Sequence, residues 1–493
     1  MSNQMIAPST RTPSLTDEGS TLDERELVND KHSRLNPTIV KKRMSPNSVS
    51  QLVDGLKTAH TNGDHISVAG GRHAMGGQQF LQSGVLLDMT GMKNILNFDL
   101  DAGLVEVEAG CLWSDLIPAL QDLQKGRKLQ WAIAQKQTGC DRLSIGGALS
   151  ANAHGRGLSM PPIVSDVEQF SMVMQDGQTV ACSRSKNPDL FRLAIGGYGL
   201  FGVITSVTLR LLPRTVLQRS VELCESQNAV HTLEKRSSDG AIYGDFQFQV
   251  DHRSPGFLKT GILSTYAPIC NPHEFWNDKA VTENKLLSPD DWRDLLYLAH
   301  TDKSTAFAEY SRHYQSTNGQ LYSSDTFQLA TYIDNYHEQL DERTHDQVGG
   351  TELITELYVP RKSLSLLLSD AADLLREENA SVIYGTVRLI EKDEETFLPW
   401  AKERWACTVL NLHINHLPHD IAMASRTFCH LIDLAIKYGG TYYLTYHRFA
   451  SRTQLLACYP QMPLFLKLKA KHDPDGLFRS EWFEHSKKLL GEE

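Results

Sequence analysis

Hydrophobic and polar residues alternate in short runs through the first half of the chain, and clusters of glycine separate these runs. Val105–Ala109 and the longer Val203–Leu211 alternate with the two-residue period of half-buried strands. Residues 112–123 instead repeat apolar positions with the spacing of an amphipathic helix. Residues 170–182 predict a β-hairpin, because two strand-like runs flank an Asp-Gly pair.

The pattern changes after Pro213, where strands and longer helices follow one another. Strands are predicted at residues 241–250, 355–359 and 406–415, and helices at residues 361–378 and 422–438. The last helix is expected to end at Gly439-Gly440, because glycine is common just past a helix C-terminus. The pattern therefore predicts an α+β fold with a module boundary near residue 213.

Length, charge and cysteine usage narrow the class of protein. A chain of 493 residues is too long for one simple core and indicates two domains. Residues 1–35 are rich in Ser, Thr, Asp and Glu, so a flexible N-terminal tail is expected. The formal net charge of −10 argues against a nucleic-acid partner.

Hydrophobic segments, the N-terminal sequence and cysteine usage together predict a cytoplasmic protein. No apolar run reaches the ~18 residues of a transmembrane segment, and the N-terminus lacks the pattern of a secretion signal. The eight cysteines are scattered without a CxxC pair, which is typical of reduced thiols.

Three glycine clusters carry the candidate chemistry: Val68–Gly77, Thr138–Gly157 and Gly196–Ile204. Closely spaced glycines allow positive φ angles and let backbone N–H groups converge on an anion, usually a phosphate. The first cluster also holds His73 at its centre, which phosphate loops rarely need. The clusters match neither the GxGxxG dinucleotide fingerprint nor the P-loop. A nucleotide cofactor that is both held and chemically engaged is therefore predicted.

In this order and at these separations, the three clusters resemble the FAD-binding domain of the vanillyl-alcohol oxidase, or PCMH-type, flavoprotein family. The likeness covers roughly residues 38–213 and includes Leu86–Met89, the Ala109-Gly110 step and Asn187–Phe191. It implies FAD bound in an extended form between two small subdomains.

The C-terminus is similar to the closing segment of the sugar-oxidising branch of this family. The likeness lies in Gly439–Arg448 and Lys471–Phe478. That branch includes aldonolactone oxidases, alditol oxidases and decaprenylphosphoryl-ribose 2-oxidases. The resemblance implies an FAD-binding domain at 36–213, an antiparallel-sheet substrate cap domain with helices at 214–425, and a segment at 426–493 that returns to the FAD domain.

The resemblance also implies which residues contact FAD. They are Gly70, Gly71, Arg72, His73, Ala74, Gly77, Gly139, Cys140, Ser144, Gly146, Gly147, Asn152, His154, Gly155, Gly202, Ile204 and Tyr443.

Two of these residues are candidates for a covalent link to the flavin. Many members of the family carry a histidine joined to the flavin 8α-methyl group at the position of His73, although the ribose-oxidase relatives lack it. The alternative is a loop histidine hydrogen-bonded to phosphate. Cys140 stands at the interval of the cysteinyl attachment in berberine-bridge-type enzymes, but Asp141 follows it where those enzymes have proline. A plain loop cysteine is the simpler interpretation.

The expected chemistry is removal of a hydroxyl proton with hydride transfer from the carbinol carbon to flavin N5. The ribose-oxidase relatives place a lysine three residues after a flavin-contacting tyrosine. Here that tyrosine corresponds to Tyr443, and Tyr446, next to His447, occupies the lysine position. Tyr446 and His447 are therefore candidate bases, with ordinary packing as the alternative. His154 matches a histidine close to the flavin, where it would stabilise the reduced flavin or position substrate; otherwise it is a structural histidine.

Polar side chains on later strands suggest a substrate wall. Asn411, His413 and Asn415 share one face of their strand. The resemblance places His413, Arg388 and Glu356 at pocket positions, and it makes Arg388 a candidate catalytic residue as well. The predicted substrate-binding set is Glu356, Arg388, Asn411, His413 and Tyr446.

No metal site is predicted from His413, His416 and His419. Residues three apart on a strand point to opposite faces, and no carboxylate or thiolate stands at ligand spacing.

These expectations converge on an FAD-dependent oxidase or dehydrogenase that acts on a CH–OH group of a sugar, alditol or aldonolactone. Its partner would be a small polyhydroxylated substrate, with oxygen, a quinone or a protein as the electron acceptor. The alternatives are a berberine-bridge-like oxidase of another substrate class, a flavin reductase on the same fold, and a non-catalytic binding module.

Overall fold

The computed structural model describes residues 25–269, 285–330, 333 and 336–491. Residues 1–24 of the expected tail lie outside this range. Residues 25–35 were also expected to be flexible, but they are ordered. Within them, strand β1 (Glu26–Val28) pairs antiparallel with β2 (Thr38–Val40). Residues 25–35 are ordered because Val28 packs in a buried cluster with Val40 and Phe80. The polar composition of the segment does not reveal this contact.

A small parallel sheet follows, with β5 between its two neighbours. Its elements are β3 (Lys42–Met44), α1 (Val49–Thr61), β4 (Ile66–Ala69) and β5 (Val85–Asp88). Leu52 and Leu56 of α1 pack with Ile66 and Val85 in one apolar cluster. The first glycine cluster begins where β4 ends.

The next sheet has six antiparallel strands, in the order β10-β9-β11-β7-β6, with β8 also paired to β11. Its strands and the accompanying helices are β6 (Ile95–Asp99), β7 (Leu104–Glu108), α2 (Trp113–Leu123), β8 (Trp131–Ile133), α3 (Ile145–Ala151), β9 (Val167–Val173), β10 (Thr179–Ser183), α4 (Pro188–Ala194) and β11 (Val203–Pro213). The predicted strands, helix and hairpin of the first half are confirmed.

An eight-stranded antiparallel sheet forms the second half, in the order β15-β12-β14-β13-β17-β18-β16-β19. Its strands and the accompanying helices are β12 (Val216–Glu225), α5 (Ser226–Ser238), β13 (Tyr243–Phe248), β14 (Thr260–Pro268), α6 (Pro289–Thr301), α7 (Lys303–Ser316), β15 (Leu321–Ser323), α8 (Tyr336–Thr344), β16 (Gly350–Pro360), α9 (Leu364–Glu377), β17 (Ser381–Ile390), β18 (Trp405–Asn415), α10 (Pro418–Lys437) and β19 (Thr441–Tyr442). The α+β fold class is confirmed.

The two faces of this sheet differ in polarity because side chains alternate along each strand. Leu353 and Leu357 of β16 belong to the apolar core that also contains buried residues of α9 and α10. Glu352 and Glu356 therefore point to the opposite face. Strand β16 supplies both the hydrophobic core and a polar wall.

The chain then returns to the first domain through α11 (Arg452–Cys458), α12 (Met462–His472) and α13 (Glu481–Leu490). Phe478 forms a parallel bridge with Ile66 of β4, and the rings of Trp482 and Tyr198 lie 4.9 Å apart. Among the described residues, no helix combines the length and apolar character needed to cross a membrane.

Candidate active site

A cavity of about 1330 Å³ lies between the glycine clusters and the polar face of the eight-stranded sheet. Residues of the first two clusters, such as Gly71 and Gly146, form one wall. Glu356, Arg388 and Asn411 of three adjacent strands form another. Large concave sites between domains are the usual place for a cofactor and substrate to meet.

Glycine is needed where the first two clusters touch. A Cβ atom at Gly70 would lie 1.9 Å from Ser144 Oγ, and one at Gly71 would lie 2.2 Å from the carbonyl oxygen of Arg142. At Gly146 the added atom would lie 2.9 Å from the Cβ of Ala109. The loops pack backbone to backbone and present bare peptide groups to the cavity, which suits a phosphate-bearing ligand.

Most of the predicted FAD contacts line this cavity. They are Gly70, Gly71, Arg72, His73, Ala74, Gly139, Cys140, Ser144, Gly146, Gly147, Gly202 and Ile204. Five others stand outside the lining in the part of the chain that the structure describes: Gly77, Asn152, His154, Gly155 and Tyr443.

Asn152 and Tyr443, which lie outside the lining, connect the second glycine cluster to the rest of the protein through hydrogen bonds. Asn152 ends α3 with φ 49°, and its side chain donates to Asp393 Oδ2 at 2.9 Å. The indole of Trp400 donates to the carbonyl of Asn152 at 3.0 Å, and the hydroxyl of Tyr443 donates to the carbonyl of Ala151 at 2.7 Å. These bonds fix the second glycine cluster against the sheet domain.

His73 is almost buried, and its Nδ1 lies 2.9 Å from Nε2 of His32. Burial, followed by the nearby charges of His32 and Lys31, holds the pKa of His73 well below 6.5. The ring is therefore neutral at pH 7. Its Nε2 is buried and makes no hydrogen bond shorter than 3.5 Å among the described residues, although the nearby backbone of Arg142 partly offsets the lowering of the pKa. His32 comes from the segment expected to be a flexible tail, so this contact was not predictable from the sequence.

Cys140 lies in the same part of the cavity. Its thiol is buried, and burial is the main cause that raises the pKa of Cys140 to about 12. A thiol with so high a pKa is protonated at neutral pH and is a poor nucleophile.

Glu356 is the centre of a buried polar cluster. Its Oε1 accepts a hydrogen bond from the hydroxyl of Tyr446 at 2.8 Å, and its Oε2 accepts one from Tyr358 at 2.6 Å. Nε2 of His154 lies 2.9 Å from the same Oε2. Burial alone would raise the pKa of Glu356, but the charges of His154 and Arg388, together with these hydrogen bonds, lower it to about 2. Glu356 is therefore a stable buried anion.

His154 lies between two hydrogen-bond acceptors. Its Nδ1 lies 3.1 Å from the carbonyl oxygen of Gly155, and its Nε2 lies 2.9 Å from Glu356 Oε2. His154 and Glu356 therefore form a buried hydrogen-bonded pair beneath the cavity wall.

Arg388 is nine-tenths buried, lines the cavity, and adds a fixed positive charge. Its Nε is buried without a hydrogen-bond partner among the described residues. An unsatisfied buried guanidinium N–H costs free energy unless a ligand accepts from it. The arrangement can therefore bind a polar oxygen and hold a proton acceptor beside it.

Two predicted residues lie elsewhere. His447 lines a second, smaller cavity of about 380 Å³ with Met75 and His485. Burial is the main cause that lowers the pKa of His447 to about 4. His413 points to Glu352, with its Nδ1 3.1 Å from Oε1 of that carboxylate.

Sequence reasoning missed other polar residues of the cavity. Asp245 and Gln247 of β13 and Tyr384 of β17 also line it. Strand alternation could have identified them, since they share a face with Arg388 through the pairing of β13 with β17.

Comparisons with known proteins agree with this geometry. A family model described as an FAD binding domain matches residues 41–183. The chain is 23% identical over 448 residues to L-gulono-1,4-lactone dehydrogenase of Mycobacterium tuberculosis, covering 90% of this chain and 95% of that protein.

Two further relatives match over shorter lengths. Mitochondrial L-galactono-1,4-lactone dehydrogenase 1 of rice, Oryza sativa, is 31% identical over 172 residues, covering 35% of this chain and 28% of the relative. L-Gulonolactone oxidase of the mouse, Mus musculus, is 28% identical over 170 residues, covering 34% of this chain and 37% of the relative. The chain therefore spans nearly all of the mycobacterial protein and only about a third of the other two.

Proposed function

Since this chain belongs to the PCMH-type FAD flavoproteins of the vanillyl-alcohol oxidase family, we propose that its donor is a sugar-derived lactone or a related polyol, oxidised at a CH–OH group. The chain is an FAD-dependent oxidoreductase, and the mycobacterial relative that matches 90% of it is named for an aldonolactone, as are the rice and mouse relatives that match about a third of it. The observation that carries the proposal is the Glu356–Tyr446–Arg388 group in the cavity shared with the glycine clusters.

The cavity fits FAD. Gly70 and Gly71 leave no room for a side chain because the second glycine cluster packs against them, which keeps the backbone of both loops at the cavity wall. The unpaired Nε2 of His73 adds a buried nitrogen that awaits a partner. FAD bound there supplies a two-electron acceptor for hydride from the donor carbon. The protein residues orient the donor and handle its proton.

Arg388 and Asn411 are placed to orient the donor. Both line the cavity on neighbouring strands β17 and β18. The free Nε–H of Arg388 can donate to a lactone carbonyl or a hydroxyl oxygen, and the Asn411 amide can donate and accept. Such a pair suits a donor with several oxygens.

Tyr446 and Glu356 form the proton acceptor. The proton of Tyr446 is held by Glu356 Oε1, so the lone pairs of Tyr446 Oη are available to the donor hydroxyl. As the carbinol carbon loses hydride, its hydroxyl becomes a protonated carbonyl, which is a strong acid. Even a carboxylate with a pKa of about 2 can then receive a proton through Tyr446. His154 keeps the negative charge in place.

His73 is the proposed point of covalent attachment to the flavin. A neutral imidazole whose Nε2 lacks a partner is a suitable nucleophile, and His73 has both properties. Cys140 is the matched control, because it lines the same wall as a protonated thiol. Acid-precipitated protein should stay yellow in the wild type and in Cys140→Ala, and should become colourless in His73→Ala. Colourless wild-type protein would contradict the link.

The donor proposal is tested by anaerobic mixing with aldonolactones, alditols, hydroxy acids and NAD(P)H. Bleaching of the flavin by one of the lactones or polyols, with a matching oxidised product, is the expected result. Bleaching by NAD(P)H alone would favour the flavin reductase. Tyr446→Phe should slow this bleaching, and His447→Gln is its control, because His447 lines the second cavity.

A further inference from the structure

A cluster of three histidines surrounds one carboxylate at the edge of the cavity. We call His300, His337, His413 and Glu352 the histidine cluster. Nε2 of His300 and Nδ1 of His413 lie 3.0 Å and 3.1 Å from Glu352 Oε1. Nε2 of His337 lies 2.6 Å from the other oxygen, Oε2. The side chains of Glu352 and His300 are each 8% exposed.

Four separate elements converge here. His300 is the penultimate residue of α6, and His337 lies in the first turn of α8. Glu352 and His413 are direct cross-strand partners on β16 and β18, so they share a face. Strand geometry excludes a site of His413 with His416, but it does not exclude ligands that come from neighbouring elements. This is why the sequence predicted no metal.

The hydrogen bonding of His300 resembles that of a metal ligand. Its Nδ1 lies 2.8 Å from the carbonyl oxygen of Leu296, so Nδ1 carries a proton. Metal-binding histidines typically donate their other N–H to a backbone carbonyl in this way. Nε2 then faces Glu352 Oε1 at 3.0 Å, in position to share a cation with the carboxylate.

His337 approaches the same carboxylate from a separate helix. Its Nε2 lies 2.6 Å from Glu352 Oε2, the oxygen that His300 and His413 do not contact. Imidazole nitrogens from three elements therefore converge on one buried carboxylate.

We propose that the histidine cluster binds a divalent cation of the zinc class through His300 Nε2, His337 Nε2, His413 Nδ1 and a Glu352 oxygen. Three imidazole nitrogens and one carboxylate complete a tetrahedral shell. With bonds of about 2.0–2.1 Å, tetrahedral ligands stand about 3.3 Å apart. The ligand atoms of His300, His413 and Glu352 already lie within 4.8 Å of one another, whereas His337 lies beside the other carboxylate oxygen and would move toward them to complete the shell.

Two other groups of potential ligands lack this chemistry. Cys407 lies near His154 and Glu356, and Cys140 lies near His32 and His73. Burial raises the pKa of both thiols far above neutral pH, whereas zinc binds the thiolate. The histidine cluster needs no thiolate.

The ion would join two helices to the sheet at the cavity wall. With four protein ligands the shell is closed, which is typical of a structural site. Glu352 and His337 line the cavity, so an ion can reach the cluster from there. The proposal does not depend on the identity of the donor, because the cluster lies beside the Glu356 group and shares no residue with it.

The test uses the flavin-loaded full chain, stripped with a chelator and titrated with Zn²⁺ by calorimetry and with Co²⁺ by visible absorption. One ion per chain, tetrahedral Co²⁺ bands and a raised thermal midpoint are expected. His337→Asn and Glu352→Gln should weaken Zn²⁺ binding by more than the roughly 10–100-fold that loss of an outer-sphere partner costs. His313→Asn is the matched control, since His313 lines the same cavity outside the cluster.

Circular dichroism and flavin content confirm that each variant is folded. If Glu352→Gln does not fold, His413→Asn replaces it, because the His413 side chain is one-fifth exposed. Absence of stoichiometric Zn²⁺ binding by the stripped wild type would overturn the proposal. Equal affinity in the wild type and His337→Asn would overturn it as well.

Discussion

At the scale of single residues, Glu356 explains most of the chemistry of the site. It is a buried carboxylate that accepts hydrogen bonds from Tyr446 and Tyr358 and pairs with His154. Buried charges persist only when they are paired and hydrogen-bonded, and Glu356 meets both conditions. The sequence resemblance placed Glu356 among the substrate-binding residues, whereas the structure also places it directly behind the hydroxyl of Tyr446.

Replacement of Tyr446 by phenylalanine removes the atom that would accept the donor proton. The rate of anaerobic flavin bleaching should fall by about 10²–10⁴-fold, the usual contribution of a positioned acid or base. Flavin content should stay unchanged. Stopped-flow absorbance at saturating donor measures the rate, and a rate within threefold of wild type would remove Tyr446 from the mechanism.

The pH dependence of stability follows from the lowered pKa of Glu356. Its folded-state value of about 2 lies below the ordinary 4.5, so the stabilisation is complete above pH 4.5 and is lost as the pH falls toward 2. The free energy of unfolding should therefore decrease more steeply on acidification in the wild type than in Glu356→Gln. Urea unfolding followed by tryptophan fluorescence measures both. Parallel curves would contradict a stabilising charge.

At the scale of elements, neighbouring leucines of α9 test the assignment of faces. Leu367 is fully buried against the sheet, whereas Leu366 is 57% exposed. Leu367→Ala should lower the free energy of unfolding by about 2–5 kcal/mol because it leaves a cavity. Leu366→Ala should change it by less than about 0.5 kcal/mol. Similar effects at both positions would contradict the packing of α9.

Elements with a clear period were predictable, and contacts between elements were not. The alternation of Val203–Leu211 and of the strand around Leu410 marked β11 and β18 closely. The bond between His32 and His73 joins residues 41 positions apart and depends on how the chain folds back. The histidine cluster likewise draws on four elements, so spacing within any one of them carried no signal.

At the scale of the whole molecule, two domains share one cavity, and each contributes a different function. The glycine clusters provide a backbone cradle, and the eight-stranded sheet provides polar side chains. The family resemblance predicted this division because glycine patterns report the cofactor. The choice of donor depends on side chains of β13, β16, β17 and β18, whose combination no single motif encodes.

The contact of the closing segment with the first domain also belongs to this scale. Trp482 of α13 packs on Tyr198 of the third glycine cluster. Trp482→Ala should destabilise the protein by about 3–5 kcal/mol and lower the flavin content of purified protein. The ratio of flavin to protein absorbance gives the measurement. Full flavin content together with full stability would contradict a role for this segment in the cofactor domain.

Anaerobic reduction of the bound flavin by an aldonolactone, compared between the wild type and Glu356→Gln, tests the proposed oxidation and its proton acceptor together. We expect complete bleaching of the wild type, formation of the oxidised lactone, and bleaching at least about 100-fold slower in the variant at equal flavin content. Bleaching of both proteins at the same rate, or bleaching of the wild type by NAD(P)H alone, would contradict it.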